Sequence, residues 1–306
     1  MRAPISQPPT LPIDPSHVTL QFARRSPLDA AQFLYGEVAQ RMLRRLSYIR
    51  LSPTDVLDAG CGAAHALEPL RSRYPDMHYT GLDACAPLLQ VATQRYASKP
   101  GLWQKLRNKP TQEVHFIQAD LAQSGLASES QDLVWSNMAL HWHAEPHNVL
   151  GEWQRIIRNG GLVMFSCLGP GSLQELRRAL SETGLATATP SFVDMHDFGD
   201  LLIRRGFADP VMDQEILTLT YRSAEKLLED VQALGGNPSI GRTRGLPGRQ
   251  WRNRLLAALE KQRHQDGTIH LSMEVAYGHA WRLPVRRFIP GEARVPTESI
   301  KRKSTP

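Results

Sequence analysis

The sequence predicts a doubly wound α/β fold on a parallel sheet. Three observations predict it. From Asp55 to Cys167, short apolar stretches alternate with stretches whose apolar residues recur every three to four positions. The apolar stretches are short and continuous, as strands covered on both faces are. The first of them, in VLDAGCG, ends in an acidic residue followed by two glycines, a strand-to-helix turn at which ligands bind in such sheets.

Taken in order, Asp29–Ile49 reads as a helix, with Phe33, Val38, Met42, Leu43 and Leu46 at helical steps and Pro53 closing the region. Asp55–Asp58 reads as a strand and Ala64–Arg73 as a helix. His78–Leu82 is the second strand and Pro87–Tyr96 the next helix. Val114–Ile117 and Leu133–Ser136 are the third and fourth strands. A helix over Pro146–Ile157 and the turn Asn159-Gly160-Gly161 lead into a fifth strand, Leu162–Cys167. Beyond it come a helix over Phe198–Arg205, a strand over Glu215–Thr220, helical stretches over Ala224–Leu234 and Trp251–Arg263, and a last strand, Ile269–Tyr277. Gly235–Gly248, rich in Gly, Pro and Arg, reads as a loop.

Composition bounds the function. The chain has 306 residues, 41% hydrophobic and 22% charged, ordinary for a globular protein. No apolar run approaches the roughly 18 residues that span a bilayer, and the Pro-rich start lacks a signal-peptide core. Three cysteines, none in metal-binding or CxxC spacing, point to a reducing, cytoplasmic setting and to no metal site. The net charge of +6 favours an acidic partner.

Asp58-x-Gly60-x-Gly62 departs from the GxGxxG dinucleotide fingerprint at its third position, where His65 stands. A carboxylate before the glycines repels a pyrophosphate and can pair with the cationic end of an amino acid. The alternative for Asp58 and Asp83 is a turn or N-cap carboxylate. At this point the chain resembles class I S-adenosylmethionine methyltransferases, which implies a seven-stranded Rossmann-like sheet and S-adenosylmethionine as cofactor. The resemblance implies Asp58, Gly60 and Gly62 as the first motif. It implies Asp83, with Ala84 beside it, as the ribose-binding acid after the second strand. Asp120 and Leu121 fall near the adenine, and Asn137 near the methionyl end. Nucleic-acid methyltransferase motifs are missing: the fourth strand is followed by Ser136-Asn137-Met138-Ala139, and neither cysteine near the sheet follows a proline.

The stretch Asp132–Arg177, with WSNMALHW, Gly160-Gly161 and GPGSLQEL, is similar to the BioC family, the malonyl-acyl-carrier-protein O-methyltransferases of biotin synthesis. LGGNP and EVAYGHAW extend the likeness, which runs from about Phe22 to Trp281. The chain departs near its start, where Phe22-Ala23-Arg24 is followed by Arg25-Ser26-Pro27 and not by the family's Ala-x-x-Tyr-Asp, and the nearest tyrosine is Tyr35. The resemblance implies methylation of the free carboxylate of a malonyl thioester, on acyl-carrier protein or coenzyme A. Carboxyl groups ionise near pH 4, so the nucleophile needs no general base. His141, Trp142 and Arg155 are the candidates for orienting and walling the reacting groups, and Arg249 and Arg252 for binding substrate from a lid. The implied organisation is a disordered leader over 1–21, a methyltransferase domain over 22–283 with a helical lid over about 223–264, and a basic, disordered tail over 284–306. Competing readings are methylation of another small carboxylic acid, action on a protein arginine like that of a related mitochondrial assembly-factor family, and a binding module without turnover.

Overall fold

The computed structural model describes residues 10–96, 113–184, 187–245 and 248–283. The expected tail over 284–306 lies outside them. Strands β1 (Asp55–Ala59), β2 (His78–Asp83), β3 (Val114–Gln118), β4 (Gln131–Asn137), β5 (Ile157–Leu168), β6 (Ala208–Tyr221) and β7 (Ile269–Trp281) form one sheet in the order β3-β2-β1-β4-β5-β7-β6. β1 pairs parallel with β2 and β4, and β7 runs antiparallel to both β5 and β6. Chain order reverses between β1 and β4, the switch point where open α/β sheets bind ligands.

The helices are α1 (Pro15–Arg24), α2 (Gln32–Leu46), α3 (Leu67–Arg73), α4 (Ala86–Tyr96), α5 (Pro146–Ile156), α6 (Gln174–Glu182), α7 (Met195–Arg204), α8 (Ala224–Ala233) and α9 (Arg249–Glu260). The strand period of two separates the core into two layers. Val56, Leu133, Trp135 and Met164 pack with α2 and α3. Leu57, Val134, Val163 and Phe165 pack with α5 and α7 on the other face. α2 buries Leu34, Tyr35, Val38, Met42 and Leu46, and burial of each large apolar side chain contributes about 1.5–3 kcal/mol. Phe33, expected on this stripe, is exposed instead: it stands one position off the buried row, about 100° around the helix.

Several expectations are corrected. The leader is ordered from residue 10: Leu11 and Ile13 are buried, and Asp14 caps α1 by accepting from the His17 N–H at 3.1 Å, with Pro15 in the first turn. Composition hid this, because a proline that breaks a helix interior is compatible with a first turn. The helix after the glycines starts at Leu67, since Ala64 adopts a left-handed φ of 59°. β6 starts at Ala208, despite Pro210. It lies at the sheet edge, where a proline can replace a ladder donor, and its register shifts between Ala208 and Val211.

β6 runs parallel to β1, so the β6–β7 link carrying α8 and α9 leaves from the sheet's carboxyl edge. It meets the N-terminal segment there. Ile13 and Ser239 form a β-bridge, the Asp14 N–H donates to the Pro238 carbonyl at 3.0 Å, and Arg242 pairs with Asp14 at 3.1 Å. After β5, Gly169 and Gly171 make room for the Glu274 carboxylate: a Cβ on either would lie 2.1 Å and 2.3 Å from its oxygens. The Gly171 N–H donates to Glu274 at 3.0 Å.

Candidate active site

A cavity of about 1280 Å³ opens at the carboxyl ends of β1 to β4. Of the residues singled out from the sequence, Asp58, Gly60, Gly62, Asp83, Ala84, Asp120, Leu121, Asn137 and Trp142 line it. Strands lie about 4.8 Å apart, so the row Asp120–Asp83–Asp58–Asn137 crosses roughly 14 Å of sheet edge.

Each member is held by its own sequence context. Gly60 has φ +80°, and its missing Cβ would stand 2.3 Å from that of Ala139; glycine is required there on both counts. The Gly60 and Cys61 N–H groups donate to the Leu82 carbonyl at 2.7 and 3.0 Å, tying the glycine turn to the end of β2. Asp83 fastens the same turn from the other side. One carboxylate oxygen accepts from the Gly62 N–H at 2.9 Å and the other from the Cys85 N–H at 2.8 Å. Asp58 is buried, and Tyr79 donates to it at 2.6 Å. Burial pushes its carboxyl up to about 7, against the Tyr79 hydrogen bond and helped by the charge of Asp83. Burial raises Asp83 as well, opposed by its backbone donors. Cys61 is buried and its thiol is pushed far up by desolvation, so it fills the turn and is no nucleophile at neutral pH.

Both ends of the Asn137 amide are engaged by the protein. Its Nδ2 donates to the Tyr35 carbonyl at 2.9 Å, and its Oδ1 accepts from the Ser166 hydroxyl at 2.9 Å. It therefore places α2 over the cavity, and α2 brings Gln32, Tyr35 and Gln40 into the lining. The Tyr35 hydroxyl donates to the Leu234 carbonyl of the β6–β7 link at 2.6 Å. Tyr35 is among the cavity residues the sequence reading left unassigned; its place on the buried stripe of the helix is the signal that finds it. His143, which bonds Asp120 at 3.2 Å, is another.

Trp142 meets Phe22 edge-on at 5.2 Å and lies 5.0 Å from the His141 ring. His141 is buried behind it, outside the cavity lining. The Leu168 N–H donates to its Nδ1 at 3.3 Å, so Nε2 carries the proton; that atom has no partner among the described residues. Desolvation lowers its pKa to about 3. His141, a candidate for orienting the substrate, is instead a packed, neutral imidazole bonded to the backbone. Arg155 is not brought to the site. It pairs with Glu152 at 2.7 Å and bonds Ser128 and the Leu126 carbonyl. Arg249 and Arg252 are exposed on α9, away from the cavity lining.

The residues present fit an adenosyl amino acid. Three carboxylates in a row, two with raised pKa, call for a ligand rich in donors and positive charge: an exocyclic amine, ribose hydroxyls, an ammonium and a sulfonium. The glycine turn lets such a ligand approach the backbone. No side chain of this row is a cation that would favour a phosphate.

Residues 57–165 match a family profile described as a methyltransferase domain. The chain is 42% identical over 275 residues to the malonyl-[acyl-carrier protein] O-methyltransferase of Laribacter hongkongensis, covering 89% of this chain and 91% of that one. It is 40% identical over 276 residues to the enzyme of the same name from Nitrosospira multiformis, covering 88% and 90%. Among solved structures, the phosphoethanolamine N-methyltransferase 2 of Haemonchus contortus in complex with S-adenosylhomocysteine has a similar fold, with a TM-score of 0.54 at 13% identity over 87% of this chain and 60% of that one. With that identity sustained over nine-tenths of both chains, this protein belongs to the malonyl-[acyl-carrier protein] O-methyltransferase family.

Proposed function

We propose that this chain transfers a methyl group from S-adenosylmethionine to the free carboxylate of a malonyl thioester carried on acyl-carrier protein, in the early, pimeloyl-forming part of biotin synthesis in the cytoplasm. The observation that carries the chemistry is the row of acceptors across β3, β2, β1 and β4, ending against an aromatic wall. S-adenosylmethionine, when bound, supplies an electrophilic methyl on a sulfonium. Asp120 accepts from the adenine amine, with Leu121 and Ala84 packing the base. Asp83 accepts from the ribose hydroxyls. Asp58 faces the ammonium, and the turn at Gly60 and Gly62 leaves room for the methionyl chain. Asn137 acts indirectly, by fixing α2.

Trp142, Phe22 and Tyr35 wall the acceptor end and exclude water. The acceptor carboxylate is already ionised near neutral pH, so no side chain need remove a proton. A close guanidinium would stabilise the nucleophile before attack as well as during it, and would not speed the reaction. His141, neutral and buried behind Trp142 outside the cavity lining, backs the aromatic wall. Arg155, held by Glu152, takes no part. Arg249 and Arg252 serve the carrier. Residues 231–259 contain five arginines and no acid; Arg242 is tied to Asp14, and the exposed Arg249 and Arg252 of α9 suit an acidic carrier protein. Coenzyme A, also anionic, is the alternative acceptor. No helix among the described residues is long and apolar enough to cross a membrane.

Mass spectrometry of malonyl-acyl-carrier protein incubated with enzyme and S-adenosylmethionine tests the reading. The expected result is a gain of one methyl group, absent with the acetyl form. No gain, with cofactor binding intact, would transfer the assignment to another small carboxylic acid or to a protein arginine.

A further inference from the structure

The geometry points to His143 as a positioning residue that sets the cofactor site's selectivity for a 6-amino purine, an inference that rests on the adenosyl assignment above. His143 follows the short 3-10 turn Leu140–Trp142 beyond β4, while Asp120 follows β3. Both line the cavity. The backbone N–H of Glu145 donates to His143 Nδ1 at 3.0 Å. A backbone N–H can only donate, so Nδ1 is unprotonated and Nε2 carries the ring proton. Nε2 then donates to Asp120 Oδ1 at 3.2 Å. The same oxygen accepts from the Ala122 N–H at 2.7 Å.

Two donors on one oxygen fix a side chain that would otherwise turn freely about its last torsion. They also divide its labour. Oδ1 is committed to the protein, and Oδ2 accepts no hydrogen bond among the described residues. Oδ2 is thus the acceptor left for a ligand, and the group it accepts from must be a donor. An exocyclic amine at the purine 6-position qualifies, and a 6-oxo group or a bare C–H does not. Selectivity of this kind is strong where a buried acceptor is left unpaired by the wrong ligand. Asp120 is 53% exposed in this ligand-free state, so without His143 its carboxylate can swing and recover solvent bonds with either ligand. His143, at 17% exposure, is the packed member of the pair and holds the orientation.

The test is calorimetric, on the full chain, with S-adenosylhomocysteine and its analogue lacking the 6-amino group. The wild-type protein is expected to prefer the amino compound by about ten-fold or more. In His143→Ala that preference falls to roughly two- or three-fold, chiefly through the amino compound, while the analogue's affinity changes little. His143→Gln, which offers an N–H at similar reach, recovers part of the preference. Equal weakening of both ligands by His143→Ala would mean a merely structural role, and an unchanged preference would mean no role; either overturns the inference. Failure of the wild-type chain to bind S-adenosylhomocysteine at all would instead overturn the adenosyl assignment.

Discussion

Asp58 sits at the point where one proton separates two states of the site. Its carboxyl titrates near 7 in the folded, ligand-free chain against an ordinary 3.8. Between roughly pH 4 and 7 the folded chain holds a proton that the unfolded chain has released, so this group's contribution to stability is largest below pH 4 and is lost as the pH rises to about 7. A cationic ligand prefers the ionised form, so its affinity runs the opposite way. S-adenosylmethionine is expected to bind several-fold more tightly at pH 8 than at pH 6, and Asp58→Asn to flatten the dependence. A flat profile in the unmodified protein would remove Asp58 from the ammonium. At Gly60 the constraint is steric. Gly60→Ala places a methyl against Ala139 and a side chain at φ +80°, which together cost on the order of 2 kcal/mol or more. Thermal melts should show a drop of several degrees, partly restored by Ala139→Gly. An undiminished melting temperature would mean that the turn relaxes freely. These residues were legible in the sequence because their roles are fixed by the ends of strands, which a local pattern reveals. Arg155 was misread because sequence distance from β4 says nothing of which layer α5 joins. Trp153 and Ile156, both buried, turn the intervening arginine outward.

Elements that close the cavity depend on ties between distant parts of the chain, which is why they were the least legible. α1 was hidden by its prolines, and the bridge from Ile13 to Ser239 joins segments more than 220 residues apart. Asp14 serves this region twice, as the cap of α1 and as the partner of Arg242. Asp14→Ala should lower the melting temperature slightly through loss of the cap. It should also speed proteolytic cleavage near residues 10–24 while leaving cleavage elsewhere unchanged. S-adenosylmethionine is expected to slow that cleavage, since the same segment lines the cavity. Uniform acceleration along the chain would indicate global destabilisation and argue against a local latch. α2 carries a second tie, from Asn137 through Tyr35 to Leu234, so one helix reports the state of both the sheet edge and the link above it.

Across the whole molecule, charge is divided by task. Asp58 and Asp83 line the cavity from the sheet edge, in a chain whose net charge is +6. Helix α9 carries Arg249 and Arg252 outward. Exposed charges act mainly on encounter, and salt screens them over about 10 Å at 0.1 M. Arg249→Glu with Arg252→Glu should therefore raise KM for malonyl-acyl-carrier protein by about ten-fold at low salt, with a smaller effect at high salt. KM for a short malonyl thioester and Kd for S-adenosylmethionine should hold. Parallel losses with both acceptors would place these arginines in folding or in the cavity instead.

The seat that Gly169 and Gly171 make for Glu274 has a consequence for how this sequence can diverge. The two glycines and the glutamate lie about a hundred residues apart, yet they occupy one volume. A side chain at 169 or 171 collides with Glu274, whereas shortening Glu274 first would vacate the space and leave the Gly171 N–H without its acceptor. A library randomised at 169 alone should be enriched in glycine, because a side chain there displaces the Glu274 carboxylate from the Gly171 N–H, and one randomised at 169 and 274 together should return more varied pairs.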